Sequence, residues 1–263
     1  MVYIMTFDFT GKTAVLSGAA SGMGLLFAQK FVEMGGNAVM SDINPDTLNE
    51  AVASVNSIRA DSAIGVVCDV RVYEQVKAVC DAAIEKFGRI DVVIPFAGGA
   101  ELRMLRNRMT ELGAGNEFPD IPIEIYDWSL DVNLRSQMYF DHAASKYMRA
   151  QKSGVFIHVG SITGAEGSHN NIGYATAKSA AMNGLTKSMA QFGAPYNIRC
   201  NCIAPGPVLT RPDMANMKTL AGRAAEPIEI INAVLYLASD EGAFINGETL
   251  LMDGGRNVMF NKY

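Results

Sequence analysis

The stretch Thr13-Ala-Val-Leu-Ser-Gly-Ala-Ala-Ser-Gly-Met-Gly24 decides the fold. Its first five residues are a short run without charge, bounded by glycine, as expected of a strand covered on both faces. Gly18, Gly22 and Gly24 then turn the chain. A helix is predicted over residues 22–34, stopped by Gly35-Gly36. Strand, glycine turn and helix in that order open a βαβ unit.

The same alternation continues outward. Strands are predicted at 37–41, 63–67, 92–96, 155–160, 198–204 and 249–252. Helices are predicted from Asn44-Pro45, over 72–87, over 122–150 in one or two pieces, over 173–193 and over 227–239. Residues 97–122, 161–172 and 205–225 read as loops. Alternating strands and helices give a parallel sheet with right-handed crossovers and helices on both faces. The expected fold class is therefore α/β, a Rossmann-type doubly wound parallel sheet of about seven strands, as a single domain over residues 1–263. In such a sheet every loop that follows a strand gathers at one edge, where ligands bind.

Bulk composition narrows the function. Hydrophobic residues make up 49% of 263, enough for a large core, and the net charge is −5 with no basic run. Phosphate contacts need clustered Lys and Arg, so a nucleic-acid surface is not expected. The first ten residues lack the basic start and small-residue cleavage site of a signal peptide, and no uncharged stretch reaches membrane length, so a cytoplasmic protein with no membrane partner is expected. Cys200 and Cys202 alternate on a strand and face one side; no further ligands stand near them, so the cysteines read as core thiols and no metal is expected.

The chemistry lies in the loops. A glycine turn before a helix lets a pyrophosphate approach the backbone, and the helix N-terminus offers it free N–H groups. Gly18, Ser21, Gly22, Met23 and Gly24 are thus candidate cofactor residues. Asp42 ends the second strand 18 residues after Gly24, beside Ile43. An acid there accepts from ribose hydroxyls and repels a 2′-phosphate, which favours NAD over NADP. Asp69-Val70 after the third strand can meet the adenine or simply serve the turn. Farther on, Tyr174 and Lys178 sit four residues apart, thirteen residues after Ser161. Side chains at i and i+4 share a helix face, and an ammonium beside a phenol lowers its pKa. Such a tyrosine exchanges a proton with an alcohol near neutral pH.

These motifs, in this order, resemble the short-chain dehydrogenase/reductase (SDR) family from Lys12 to Gly255. Ser17 through Gly24 is similar to its TGxxxGxG turn, with Ser17 for Thr; Pro205-Gly-Pro-Val-Leu-Thr210 is similar to its PGxVxT loop; Met252-Asp-Gly-Gly255 is similar to its C-terminal signature. The resemblance implies a catalytic tetrad of Asn133, Ser161, Tyr174 and Lys178. It implies that Tyr174 is the acid or base, that Lys178 holds the nicotinamide ribose, that Ser161 binds the substrate oxygen, and that Asn133 positions a water. Ala97 and Gly98 would let the cofactor approach, and Pro205, Val208 and Thr210 would hold its carboxamide end. A homotetramer, or a homodimer, built on the Ala177, Ala181 and Gly184 side of the long helix is also implied.

One departure stands out. The family's Asn-Asn-Ala-Gly after the fourth strand is Pro95-Phe-Ala-Gly98 here, so an altered sheet is expected beside Phe96. Substrate contacts are expected from Gly99 to Arg103, from Gly164 to Asn171 and after Thr210. His169, among Ser168, Asn170 and Asn171, suits a sugar, polyol or other hydroxylated small molecule, and equally a solvated loop. His142, His158 and Trp128 read as structural. The functional expectation is an NAD-dependent interconversion of a small-molecule alcohol and ketone. A 3-oxoacyl-carrier-protein-type reductase and a non-catalytic NAD-binding protein are the alternatives. Asp42 weighs against the first and the complete tetrad against the second.

Overall fold

The computed structural model describes residues 7–113, 115 and 117–260. The reading of the chain start over residues 1–6 lies outside them. Seven strands form one parallel sheet: β1 Thr13–Ser17, β2 Asn37–Asp42, β3 Ala63–Val67, β4 Val92–Pro95, β5 Gly154–Val159, β6 Ile198–Pro205 and β7 Thr249–Met252. Their order is β3-β2-β1-β4-β5-β6-β7, so strand order reverses between β1 and β4. This is the doubly wound sheet expected from the sequence. Eleven α-helices occur among the described residues. They are α1 Gly22–Glu33, α2 Pro45–Asn56, α3 Tyr73–Phe87, α4 Glu101–Met104, α5 Arg106–Glu111, α6 Ile123–Leu130, α7 Ser136–Gln151, α8 Ile162–Glu166, α9 Ile172–Ala180, α10 Thr186–Gly193 and α11 Pro227–Ala238.

Side chains alternate across the sheet, which divides the core in two. Ala14 and Leu16 of β1 face α1, α2 and α11, packing with Phe27, Phe31, Leu48 and Ile231. Val15 points the other way, into Val76, Phe140, Met148 and Ala190 from α3, α7 and α10. Helix ends follow the sequence signals. Asn44 caps α2 by accepting from the Asp46 and Thr47 amides, and Gly88 ends α3 with φ +76°. Ala177 and Ala181 are fully buried within this chain, so those two small residues serve its own packing.

The segments read as loops hold structure that was not predicted. Residues 97–122 contain α4 and α5, over a small apolar cluster of Met109, Ile121 and Ile125. Ser161 opens α8, accepting from the Thr163 amide, and Pro212–Asn216 is a 3-10 turn. Helices of four to six residues are too short to show a period in the sequence, and each is held by one buried residue, Glu101, Met109 and Ile162 in turn. The long helix over 122–150 is continuous, with α6 joined to α7 by a π turn at Asp131–Arg135. A second π turn, Ala181–Leu185, joins α9 to α10.

The ladder between β4 and β5 stops short of Phe96. The β4–β5 register covers only Val92 with Val155 and Val93 with Phe156. Phe96 packs its ring 6.1 Å from Phe27, in the first core cluster. The tie across the sheet centre comes instead from Ser17, whose Oγ accepts from the Ala97 amide at 3.2 Å. Pro95 is tolerated because it ends its strand, in register with Ser17 of β1 alone.

Candidate active site

The C-terminal strand ends carry two adjoining hollows. The first is a groove of about 460 Å³ over the β1–β4 switch point. Gly18, Ser21, Met23, Gly24, Asp42, Ile43, Asp69, Val70, Ala97 and Gly98 all line it, as expected of a nucleotide site. Gly22, also expected there, is not among its lining residues; it sits at φ +55° in the turn beneath. Glycine is required at two positions. Gly18 has φ +61°, and a Cβ on it would stand 2.8 Å from the Ala97 amide nitrogen. A Cβ on Gly24 would stand 2.4 Å from the Gly18 carbonyl. Asp42 accepts from the Ala20 and Asn44 amides at 3.3 and 3.2 Å, which fixes its carboxylate at the β2 end. The groove's glycine floor, free helix end and terminal acid fit a dinucleotide.

Arg71 and Trp128 are among the groove residues that escaped the sequence reading. Arg71 lines the groove and is tied to Asp69 at 2.6 Å. Trp128, expected in the core, is half-buried and borders the groove while packing on the second cluster. An amphipathic ring serves both places, which sequence alone cannot separate.

The second hollow, a cleft of about 520 Å³, shares Met23, Phe96, Gly98 and Arg103 with the groove. Ser161 comes to it from the β5 end and Tyr174 with Lys178 from α9; Gly99, Pro205, Val208 and Thr210 complete the walls. The predicted substrate segment is reached only in part. Ser168 and Asn171 line the cleft, whereas Gly164 packs against Met182 and Ser179. His169 is exposed and is not among the lining residues. Its polar neighbours mark a loop, and only the fold decides which of them turn inward. His158 is fully buried between Asp141 and Thr186, a core residue as read from the sequence.

Asn133 is fully buried in the first π turn. Its Oδ1 accepts from the Gly99 amide at 2.9 Å, and its Nδ2 donates to the Gly99 and Ser129 carbonyls at 3.0 Å. Its own carbonyl accepts from Gln137 Nε2 at 2.7 Å. The amide is thus a clamp on the loop that ends at the cofactor floor. A π turn shifts the side chain round the axis of the helix, which is how a residue in mid-helix comes to aim at that loop.

Glu101 lies in the Gly99 to Arg103 segment expected to meet substrate, and the sequence reading missed its role. It is fully buried, with Oε1 accepting from the Gly173 amide at 2.9 Å and Oε2 accepting from the Tyr174 amide at 3.0 Å. Ser129 Oγ donates to the same Oε2 at 3.0 Å. Glu101 therefore caps the helix that carries Tyr174, where a carboxylate meets both free N–H groups and the positive helix end.

The electrostatics depart from the expectation. Lys178 Nζ donates to the Val159 carbonyl at 2.7 Å and lies 5.6 Å from the Tyr174 ring centre. Burial raises the Tyr174 pKa above its ordinary value; the Ser161 hydroxyl, Arg103 and Arg211 pull it down, and Glu101 pushes it up again. Ser161 and the two arginines are thus groups that favour phenolate here. Burial also lowers Lys178 to about 8. That gives a signed expectation. The unfolded lysine keeps its proton to about 10.5, so stability rises as pH passes upward through 8 and the buried ammonium becomes an amine. The gain from pH 8 to 9 is about 1 kcal/mol, and Lys178→Met should remove it in denaturant titrations at the two pH values. The thiols act in the opposite sense to Lys178. Burial holds Cys68 and Cys80 near 12 and Cys202 near 11, so each thiol stabilises the fold below 9 and loses that contribution as pH climbs towards those values. An unchanged slope in Lys178→Met would contradict the assignment.

Known proteins share this architecture. A family model described as enoyl-(acyl carrier protein) reductase matches residues 18–257. The 3beta-hydroxysteroid dehydrogenase 2 of Eggerthella lenta is 34% identical over 259 residues, covering 93% of this chain and 94% of that protein. The trans-4-hydroxycyclohexanecarboxylate dehydrogenase of Sinomonas cyclohexanicum is 35% identical over 257 residues, covering 94% and 93%. The crystal structure of NAD+-bound xylitol dehydrogenase superposes with a TM-score of 0.83 at 28% identity, over 94% of this chain and 99% of that one.

Proposed function

The chain belongs to the short-chain dehydrogenase/reductase family, and from that premise we propose that it is an NAD-dependent oxidoreductase that interconverts a secondary alcohol and a ketone. The observation that carries this reading is the continuity of the two hollows. Ser161, Tyr174 and Lys178 line a cleft that opens onto a nucleotide groove through Met23, Phe96 and Gly98. NAD, when bound, supplies the hydride acceptor.

The chain's own residues handle the proton. Tyr174 Oη takes it from the substrate hydroxyl during oxidation and returns it during reduction. Ser161 Oγ holds the substrate oxygen and steadies the charge that develops there. Lys178, buried and tied to Val159, presents its ammonium beneath the phenol and towards the cofactor side. For Asn133 we propose a positioning role. Its side chain and carbonyl are engaged by Gly99, Ser129 and Gln137, so it holds the loop between cofactor and substrate.

Ile162, Val208, Met214 and Met217 give the cleft an apolar part beside its polar Thr163, Ser168, Asn171 and Asp213, which has room for an alcohol on a hydrocarbon skeleton. The related steroid and hydroxycyclohexanecarboxylate dehydrogenases are named for alcohols of that kind. Asp42 supports NAD over NADP and stands against the 3-oxoacyl reductase reading. In Asp42→Ala the ratio of kcat/KM with NAD to that with NADP should fall by about tenfold or more, the equivalent of one charge-assisted hydrogen bond. Steady-state kinetics with both cofactors check it, and an unchanged ratio refutes the role of Asp42. The reading as a whole is tested by following NADH formation over a panel of alicyclic alcohols, hydroxysteroids and polyols. No turnover on any of them, with NADH still bound, would favour a non-catalytic protein.

A further inference from the structure

Two guanidinium groups reach the cleft, and neither gives up or takes up the proton itself. Arg103 comes from α4 and Arg211 directly follows Thr210, so they enter from the segments after β4 and β6. Arg211 Nε lies 3.2 Å from Asp213, a carboxylate that is 70% exposed. Arg103 has no ion pair with a carboxylate among the described residues. Its Nη2 lies against Gly99, where a Cβ would stand 2.7 Å away, so the bare backbone there leaves room for the guanidinium over the cleft wall. Burial, and after it Arg211, lowers the Arg103 pKa while Asp213 raises it, and both arginines pull down that of the Tyr174 phenol, with all four groups lining the one cleft. Two like charges in one hollow favour an anion between them. The cleft that holds the arginines and Ser161 also carries apolar lining from Ile162, Val208, Met214 and Met217, beside Thr163, Thr210 and Asp213.

We propose that Arg103 and Arg211 bind a carboxylate of the substrate, carried on an apolar skeleton that places the reacting carbinol at Ser161 and Tyr174. The substrate class is therefore a hydroxy acid whose hydroxyl and carboxylate are separated by a hydrocarbon ring or rings. The proposal rests on the dehydrogenase reading above. Arg103 also borders the nucleotide groove, so the same guanidinium chemistry is available to a cofactor phosphate, and the test separates the two.

The full-length enzyme is assayed with NAD on 4-hydroxycyclohexanecarboxylate and on its uncharged amide. For the unaltered protein kcat/KM should favour the acid by tenfold or more, the usual strength of a charge-assisted pair. In the double variant Arg103→Met, Arg211→Met, which keeps the apolar stems, that ratio should collapse towards one. A ratio near one in the unaltered protein overturns the proposal and leaves the dehydrogenase reading standing. If the variant instead loses acid and amide equally while its KM for NAD rises, Arg103 serves the cofactor phosphate and the proposal falls. A measurement independent of turnover is the quenching of bound NADH fluorescence by cyclohexanecarboxylate and by cyclohexanecarboxamide. The carboxylate should bind tighter by tenfold or more to the NADH-loaded enzyme, and equal binding overturns the proposal even if neither alcohol is oxidised.

Discussion

Tyr174→Phe should lower turnover by about 10²–10⁴-fold, the usual contribution of a placed proton donor or acceptor, while NADH still binds. The substitution removes one oxygen and little else. Helix α9 stays in place because Glu101 holds it through the backbone amides of Gly173 and Tyr174, which a phenylalanine retains. Ser161 and Lys178 keep their places, Ser161 at the start of α8 and Lys178 on the Val159 carbonyl. The pH dependence carries further information. Burial raises the Tyr174 pKa, so in the free enzyme phenolate accumulates only as pH rises, and alcohol oxidation should accelerate in the same direction. Full activity in Tyr174→Phe would sink the mechanism. Loss of activity together with loss of NADH binding, read by fluorescence, would show that the phenol is structural.

Glu101→Ala should be the most damaging substitution outside the cleft lining. It strips partners from three buried donors: the Gly173 and Tyr174 amides and the Ser129 hydroxyl. An unsatisfied buried donor costs about 1–3 kcal/mol, so a total of about 3 kcal/mol or more is expected. For a chain of this size that lowers Tm by about 6–12 °C. The first turn of α9 also loses its anchor, so kcat should fall with the shift of Tyr174. Glu101→Gln keeps one acceptor and should fall between the two proteins in both measurements. A Glu101→Ala protein with unaltered Tm and kcat would remove Glu101 from this role.

The sheet could be read from the sequence because every strand but β3 is bounded by a glycine or proline signal, and Gly88 and Asn44 cap the helices they flank in sequence. Ser161, Tyr174 and Lys178 were legible for a related reason: their spacing lies within one strand–loop–helix unit. Glu101 was not, since its partner amides are 72 and 73 residues away and no local pattern links them. The one signal on offer was an acid straight after Gly98-Gly-Ala100, in a loop that must lie against the cofactor. The π turn that aims Asn133 at Gly99 leaves no mark either, because one extra residue in a helical turn barely shifts a pattern of apolar residues. Arg103 and Arg211 stand 108 residues apart, and only the sheet order brings them to one cleft.

Pro95 has a consequence for the chain while it is being made. β4 completes the first half of the sheet, yet its neighbour β5 begins only at Gly154, 59 residues later (154 − 95). At a synthesis rate of about 5–20 residues per second, that leaves β4 as an open edge for roughly 3–12 s. An apolar edge strand exposed for so long is a template on which other nascent chains can add. Proline offers no N–H to such a partner, and the native β4–β5 ladder, confined to Val92 and Val93, asks nothing of that position. The residue that looked out of place in a central strand thus shortens the sticky edge without weakening the finished sheet, and Pro95→Val should aggregate more on expression than it loses in the stability of the purified protein.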